Sequence, residues 1–203
     1  MKKTIVFASG NKGKLVELQN FFENSYFKIM PQSEFQVDDI PETALTFIEN
    51  ALLKARHAAA KSKCATLADD SGLVVRALNG APGIYSARYA GTHRDSAANI
   101  QRVLGELKST SKENRQAYFY CCLVLILHAD DPTPLICEGI WHGEIDFQPS
   151  GSKGFGYDPI FFDTTYNCTA SQLPLDVKNQ ISHRGQALKL LQTKLHIKME
   201  NNL

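Results

Sequence analysis

Between residues 44 and 61 apolar side chains return every three or four positions, at Ala44, Leu45, Ile48, Ala51, Leu52, Ala55, Ala58 and Ala59. That rhythm keeps one face of a helix buried. It predicts a helix from Ala44 to Lys61, with Thr43 as its N-cap. The same spacing marks helices at Lys14–Phe22, at Asp95–Leu107 through Ile100, Val103, Leu104 and Leu107, and from about Ser182 onward through Ala187, Leu188, Leu191 and Leu195. Short continuous apolar runs read instead as buried strands. They are Thr4–Ala8, Ala65–Ala68 ending at Asp69 and Asp70, Gln116–His128, Leu135–Trp141, Glu144–Phe147 and Pro159–Phe162. Strands and helices are interleaved, with consecutive strands in the middle. The expected class is therefore α/β or α+β around a mixed sheet.

The longest apolar run, Ala117–Leu127, is about half of the roughly 20 residues that a membrane helix needs. The apolar run Ile5–Ala8 near the N-terminus is too short for a secretory signal core. No membrane association is expected, and a cytoplasmic protein is the starting expectation. The candidate linkers Asn79–Gly83, Asp130–Pro134 and Pro149–Gly154 are too short to separate domains, so residues 1–203 read as one domain.

The 22 Lys and Arg residues nearly balance the 21 Asp and Glu residues, leaving a net charge of +1. This excludes the broad basic footprint of a nucleic-acid binder. An anionic substrate would have to meet a few local cations or a metal. The five cysteines contain no CxxC pair and the histidines no HExxH, so neither a disulfide framework nor a zinc site is indicated.

Four clusters carry candidate chemistry. Ser9–Lys14 (SGNKGK) lies between a strand and a helix. Gly10 and Gly13 allow close backbone approach, the helix N-terminus favours an anion, and Lys12 and Lys14 add charge. It is not a Walker A loop, because Ala8 stands at the first glycine and Leu15 at the metal-binding hydroxyl. The alternative is an ordinary turn with solvated lysines. Ala68–Gly72 (ADDSG) places Asp69 and Asp70 on opposite faces of an extended chain, so only one faces a given pocket. A carboxylate there can hold Mg²⁺ or take a proton from water, or simply cap a polar turn.

The third cluster surrounds the long helix, with Glu42 before it and Glu49 and Asn50 inside; a solvated flank is the simpler reading of Glu49. The fourth is divided between Gly154–Pro159 (GFGYDP) and Ser182–Gly185 (SHRG). Glycines around Phe155 leave a ring on bare backbone, suited to stacking on a planar base or to burial in the core. Ser182 is placed to cap the last helix. His183 and Arg184 are cations in its first turn, where they oppose the helix dipole unless an acceptor is present. Lys178 lies just upstream.

SGNKGK, TFIENALLKAR (Thr46–Arg56), ADDSGL (Ala68–Leu73), GAPGIYSARYAG (Gly80–Gly91), GFGYDPIF and ISHRGQAL (Ile181–Leu188) occur in that order over nearly the whole chain. The sequence thereby resembles the inosine triphosphate pyrophosphatase family. The resemblance implies an elongated α/β fold with a long mixed sheet, two lobes around a nucleotide cleft, and a homodimer. It implies Mg²⁺-dependent hydrolysis of ITP, dITP or XTP to the monophosphate and pyrophosphate. It also implies roles for individual residues. Ser9, Gly10, Asn11, Lys12, Gly13 and Lys14 would hold the triphosphate. Asp70 would be the catalytic carboxylate and a metal ligand, with Glu42 the second metal-associated carboxylate. Ser71 would contact substrate, Phe155 would stack on the base, and Gly156, Tyr157 and Asp158 would complete that wall. Lys178, His183 and Arg184 would read the base and nearby phosphates. Two stretches depart from the family pattern: Ile40-Pro41 stands where another acidic residue is common, and Pro174 interrupts a stretch that is usually helical. The competing expectations are a related house-cleaning pyrophosphatase acting on other modified nucleotides, and a nucleotide-binding regulator without turnover.

Overall fold

A computed structural model describes residues 2–91 and 95–200, apart from the side chains of Lys12 and of residues 196–200. Seven strands form a mixed sheet in the order β2-β1-β3-β4-β5-β6-β7, with helices α1 to α5 in the connections and at the C-terminal end. The strands are β1 (Lys3–Phe7), β2 (Phe27–Pro31), β3 (Ala65–Val75), β4 (Gln116–Ile126), β5 (Leu135–Ile145), β6 (Phe161–Asp163) and β7 (Cys168–Thr169). The helices are α1 (Lys12–Phe21), α2 (Phe47–Ser62), α3 (Ser96–Glu106), α4 (Leu175–Ile181) and α5 (His183–Glu200). β1 pairs in parallel with both β2 and β3, whereas β6 runs antiparallel to β5 and β7. The α/β class expected from the interleaved pattern is the one found. Among the described residues no helix is long and apolar enough to cross a membrane.

The chain divides into two compact units. The first comprises Met1–Asp70, Cys122–Glu138 and Ala187–Leu203. In it β1 buries Ile5, Val6 and Phe7, and α2 lays Ala51, Ala55, Ala58 and Ala59 inward, all fully or nearly fully buried. Small side chains along that stripe let the helix backbone approach closely. The second unit comprises Ser71–Cys121 and Gly139–Gln186. Its core gathers Leu73, Val103 and Leu107 with Phe119, Trp141 and Phe161. The buried Arg115 guanidinium ties this unit together by donating to the carbonyls of Leu107 and Ile145, each at 2.8 Å.

Several elements differ from the sequence expectation. α2 begins at Phe47, not Ala44, and its N-cap is Thr46, not Thr43. The Thr46 hydroxyl oxygen accepts from Glu49 N–H at 3.2 Å while its O–H donates to the Glu49 carboxylate at 2.7 Å. The first of these bonds is the N-cap interaction, satisfying one of the free N–H groups of the first turn. Glu49 is thereby accounted for on the exposed flank, and Leu45 is left 84% exposed. β3 does not stop at Asp69 and Asp70 but runs through them to Val75. The expected strands Leu135–Trp141 and Glu144–Phe147 are one strand, β5, continued by the pairing of Glu144 with Phe162. Gly13 lies inside α1 rather than in the preceding turn. β2, β7 and α4, which the spacing did not mark, are additional elements. Pro174 stands at the N-cap of α4, where its missing N–H costs nothing.

Candidate functional site

In the first unit, Asn11 caps α1, its side-chain oxygen accepting from Lys14 N–H at 3.2 Å, and its own N–H donates to Ser9 Oγ at 3.3 Å. The SGNKGK turn therefore feeds directly into a helix N-terminus, a natural seat for an anion. Gly10 also lies close to a side chain of another segment. A Cβ there would come within 2.8 Å of Asp39 Oδ2, a carboxylate held by Gln32 Nε2 at 2.6 Å. The Lys12 side chain lies outside the described residues. Lys14 reaches across to β3, its Nζ 2.6 Å from Asp69 Oδ2.

Consecutive residues in a strand point to opposite faces, and Asp69 and Asp70 have different partners accordingly. Asp69 pairs with Lys14, and Asp70 faces Lys54 of α2 at 3.4 Å. The same Lys54 ammonium is 2.6 Å from Glu42 Oε1. Burial pushes the Asp70 carboxyl up to about 6 against the lowering influence of Lys54, while Glu42 adds to the rise. For Lys54, burial alone would lower the pKa, but Asp70, Asp69 and Glu42 together leave it raised. Asp70 Oδ2 is a buried oxygen without a hydrogen-bond partner among the described residues.

That orphaned oxygen is what a hard cation would satisfy. Among the described residues no group of three or more His, Cys, Asp or Glu side chains is placed to ligate a metal. The carboxylates gathered here around the Lys54 ammonium are Glu42 and Asp70. This fits a cation that takes one or two protein carboxylates and completes its shell with waters and substrate phosphates.

In the second unit, the GFGYD loop winds around Asp158. Its Oδ2 accepts from Phe155 N–H at 2.8 Å and from Lys178 Nζ at 2.5 Å. Gly154 sits at φ +79°, and a Cβ there would lie 2.0 Å from Asp158 Oδ2 and 2.9 Å from Lys178 Nζ. The Phe155 ring is 44% exposed, with the Lys178 ammonium 5.5 Å and the Arg184 guanidinium 5.8 Å from its centroid. Such distances are within cation–π range.

His183 and Arg184 open α5 and are both buried. The His183 ring stacks on Phe119 at 4.8 Å, and Arg184 Nη2 is 3.5 Å from Ser71 Oγ. Ser182 does cap this helix, its Oγ accepting from Gly185 N–H at 3.2 Å. Gly185 is obligatory, since a Cβ would fall 2.0 Å from the Asn179 carbonyl oxygen. Phe155, Asp158, Lys178, Arg184 and Ser71 are thus brought together in this unit. Gly156, at φ +62°, completes the loop. Tyr157 is apart from them, in the core, its hydroxyl donating to the Ser86 carbonyl at 2.8 Å.

Sequence reasoning overlooked Lys54 and Asp39. Lys54 carried a signal: it stands four residues after Asn50, three after Ala51 and four before Ala58, so a lysine interrupts the buried stripe of α2. Asp39 carried none, because only the fold brings it to Gly10.

The family model described as Ham1 family matches residues 5–194. A dITP/XTP pyrophosphatase of Xylella fastidiosa (strain 9a5c) is 56% identical over 194 residues, 96% of this chain and 98% of its own length. A protein of the same name from Legionella pneumophila (strain Lens) is 51% identical over 193 residues, 95% of this chain and 98% of its own. Among solved structures, a HAM1 protein from Coxiella burnetii superposes with a TM-score of 0.91 at 49% identity, covering 96% of this chain and 98% of that one.

Proposed function

The chain belongs to the Ham1 family, and from that premise we propose that it hydrolyses deaminated purine nucleoside triphosphates (dITP, ITP and XTP) to the monophosphate and pyrophosphate. The relatives named dITP/XTP pyrophosphatase support this reaction. The observation that carries it in this molecule is Asp70. This carboxylate is buried, has one oxygen without a hydrogen-bond partner among the described residues, and has its pKa raised to about 6 by burial. A general base is most effective with a pKa near the working pH.

In this reading Asp70 orients a water molecule and takes its proton as the water oxygen attacks the α-phosphorus. The bond from that phosphorus to the bridging oxygen breaks, and pyrophosphate leaves. Lys14 and the N-terminal N–H groups of α1 stabilise charge on the departing group. Glu42 and Asp70 would hold Mg²⁺, which when bound supplies charge neutralisation at the phosphates. Phe155 is assigned the face of the base. Lys178 and Arg184, which only donate hydrogen bonds, are assigned its 6-oxygen and the adjacent phosphates. His183 and Ser71 support that end of the site. No covalent nucleophile is required. The enzyme would act on the cytoplasmic nucleotide pool, as a homodimer.

The test is a panel of ITP, dITP, XTP and the four common triphosphates, with pyrophosphate and orthophosphate detected separately. Pyrophosphate release from the deaminated purines, dependent on Mg²⁺, is expected. Stepwise orthophosphate release would contradict the reaction, turnover of other modified nucleotides alone would redirect the substrate assignment, and tight binding without turnover would make the protein a regulator.

A further inference from the structure

Lys54 stands between two carboxylates. Its ammonium stands 2.6 Å from Glu42 and 3.4 Å from Asp70, the two carboxylates assigned to Mg²⁺. We infer that Lys54 is a built-in counter-ion that competes with the divalent cation for these carboxylates and must withdraw when the cation binds. This rests on the proposed role of Glu42 and Asp70.

The charge balance supports it. Lys14 pairs with Asp69 at 2.6 Å, while the single Lys54 ammonium stands against both Glu42 and Asp70. Without Lys54, two like charges would face each other with little solvent between them, which is costly. With both Lys54 and a divalent cation in place, two cations would crowd the same pair of carboxylates. Lysine suits such an exchange because its charge is compact and its stem flexible, so the ammonium can leave without moving the helix. Asp70 is engaged on one side only: Oδ1 faces Lys54, while Oδ2 has no hydrogen-bond partner among the described residues. The cation therefore has an oxygen to approach before the lysine departs.

The consequence is counter-intuitive for a residue of the site: deleting Lys54 should strengthen metal binding. The experiment is titration of metal-free protein with Mn²⁺, without nucleotide, following the free ion by electron paramagnetic resonance. Lys54→Met is expected to bind roughly 5–150-fold more tightly than wild type, the span usual for coupling between two bound groups. Lys54→Arg keeps the charge and should bind as weakly as wild type. Asp70→Asn should bind more weakly than either. Equal or weaker binding by Lys54→Met, including no binding by either protein, would overturn the inference. Wild-type affinity in Asp70→Asn would instead remove the carboxylate assignment beneath it. If Lys54→Met does not fold without metal, wild-type protein still decides the matter. Amine labelling of Lys54, quantified by mass spectrometry, should rise on adding Mg²⁺, and unchanged or reduced labelling counts against displacement.

Discussion

The Lys14 ammonium lies 2.6 Å from Asp69, a carboxylate almost wholly shielded from solvent, so a lysine in the first turn of α1 is anchored to the strand that also carries Asp70. Asp69 and Asp70 are neighbours in sequence with different lysine partners. Asp69→Asn should release Lys14 and act chiefly on KM for ITP. Asp70→Asn should lower kcat by roughly 10²–10⁴, the scale for losing a positioned acid–base group. Steady-state kinetics on both folded variants checks this, and equal kcat losses would contradict the division of roles.

Stability should move in the opposite direction from activity. The folded protein raises the Asp70 pKa from 3.8 to about 6, so the fold favours the protonated form. The stability that this supplies is present at low pH and is lost as pH rises from about 4 through 6. A shift of about two pH units corresponds to roughly 3 kcal/mol. Metal-free Asp70→Asn is therefore expected to be more stable than wild type near neutral pH, with the gap closing below about pH 4. Urea unfolding at both pH values measures it.

Phe155 is too exposed to be a mainstay of the core. Phe155→Ala should leave the melting temperature nearly unchanged and weaken nucleotide binding. Aromatic stacking on a base is worth about 1–3 kcal/mol, so KM for ITP should rise about 5- to 150-fold where it tracks affinity. An unaltered KM would separate the ring from the base.

Lys178 is assigned an acceptor that adenine lacks. Lys178→Met should cost activity on ITP more than on ATP, narrowing the ratio of their kcat/KM values. A common loss factor for both substrates would assign Lys178 to the phosphates or the fold.

Gly154→Ala should reproduce part of that effect from a distance. The added methyl would collide with Asp158 Oδ2 and crowd Lys178 Nζ, at a φ of +79° that disfavours side chains. Backbone strain of this kind costs of order 1–3 kcal/mol. A folded but less stable protein with reduced ITP preference is expected; wild-type selectivity at lowered stability would mean that the loop shape is not what places Lys178.

What the sequence determined by itself was local and periodic. The apolar rhythm predicted α3 closely, because Asp95 both starts the pattern and caps the helix, accepting from Ala97 and Ala98 N–H. It also placed SGNKGK at a strand-to-helix turn, and the alternation of strand side chains separated Asp69 from Asp70. Tertiary structure decided the rest. Asp is a poor strand former, yet β3 continues through Asp69 and Asp70, where lysines on other elements pair with them. Gly143 lies between the expected strands Leu135–Trp141 and Glu144–Phe147, but β5 passes through it, and the Phe161 ring and the Phe162 carbonyl of β6 press where a side chain would be. Thr43 and Thr46 offer the same capping chemistry, and Asn50 discriminates: its side chain binds both the N–H and the carbonyl of Ala44, holding that residue outside α2. Lys54 reaches Glu42 and Asp70 across 12 and 16 residues of chain. Contacts at that separation leave no period in a sequence, since they exist only once the strand and the helix have packed.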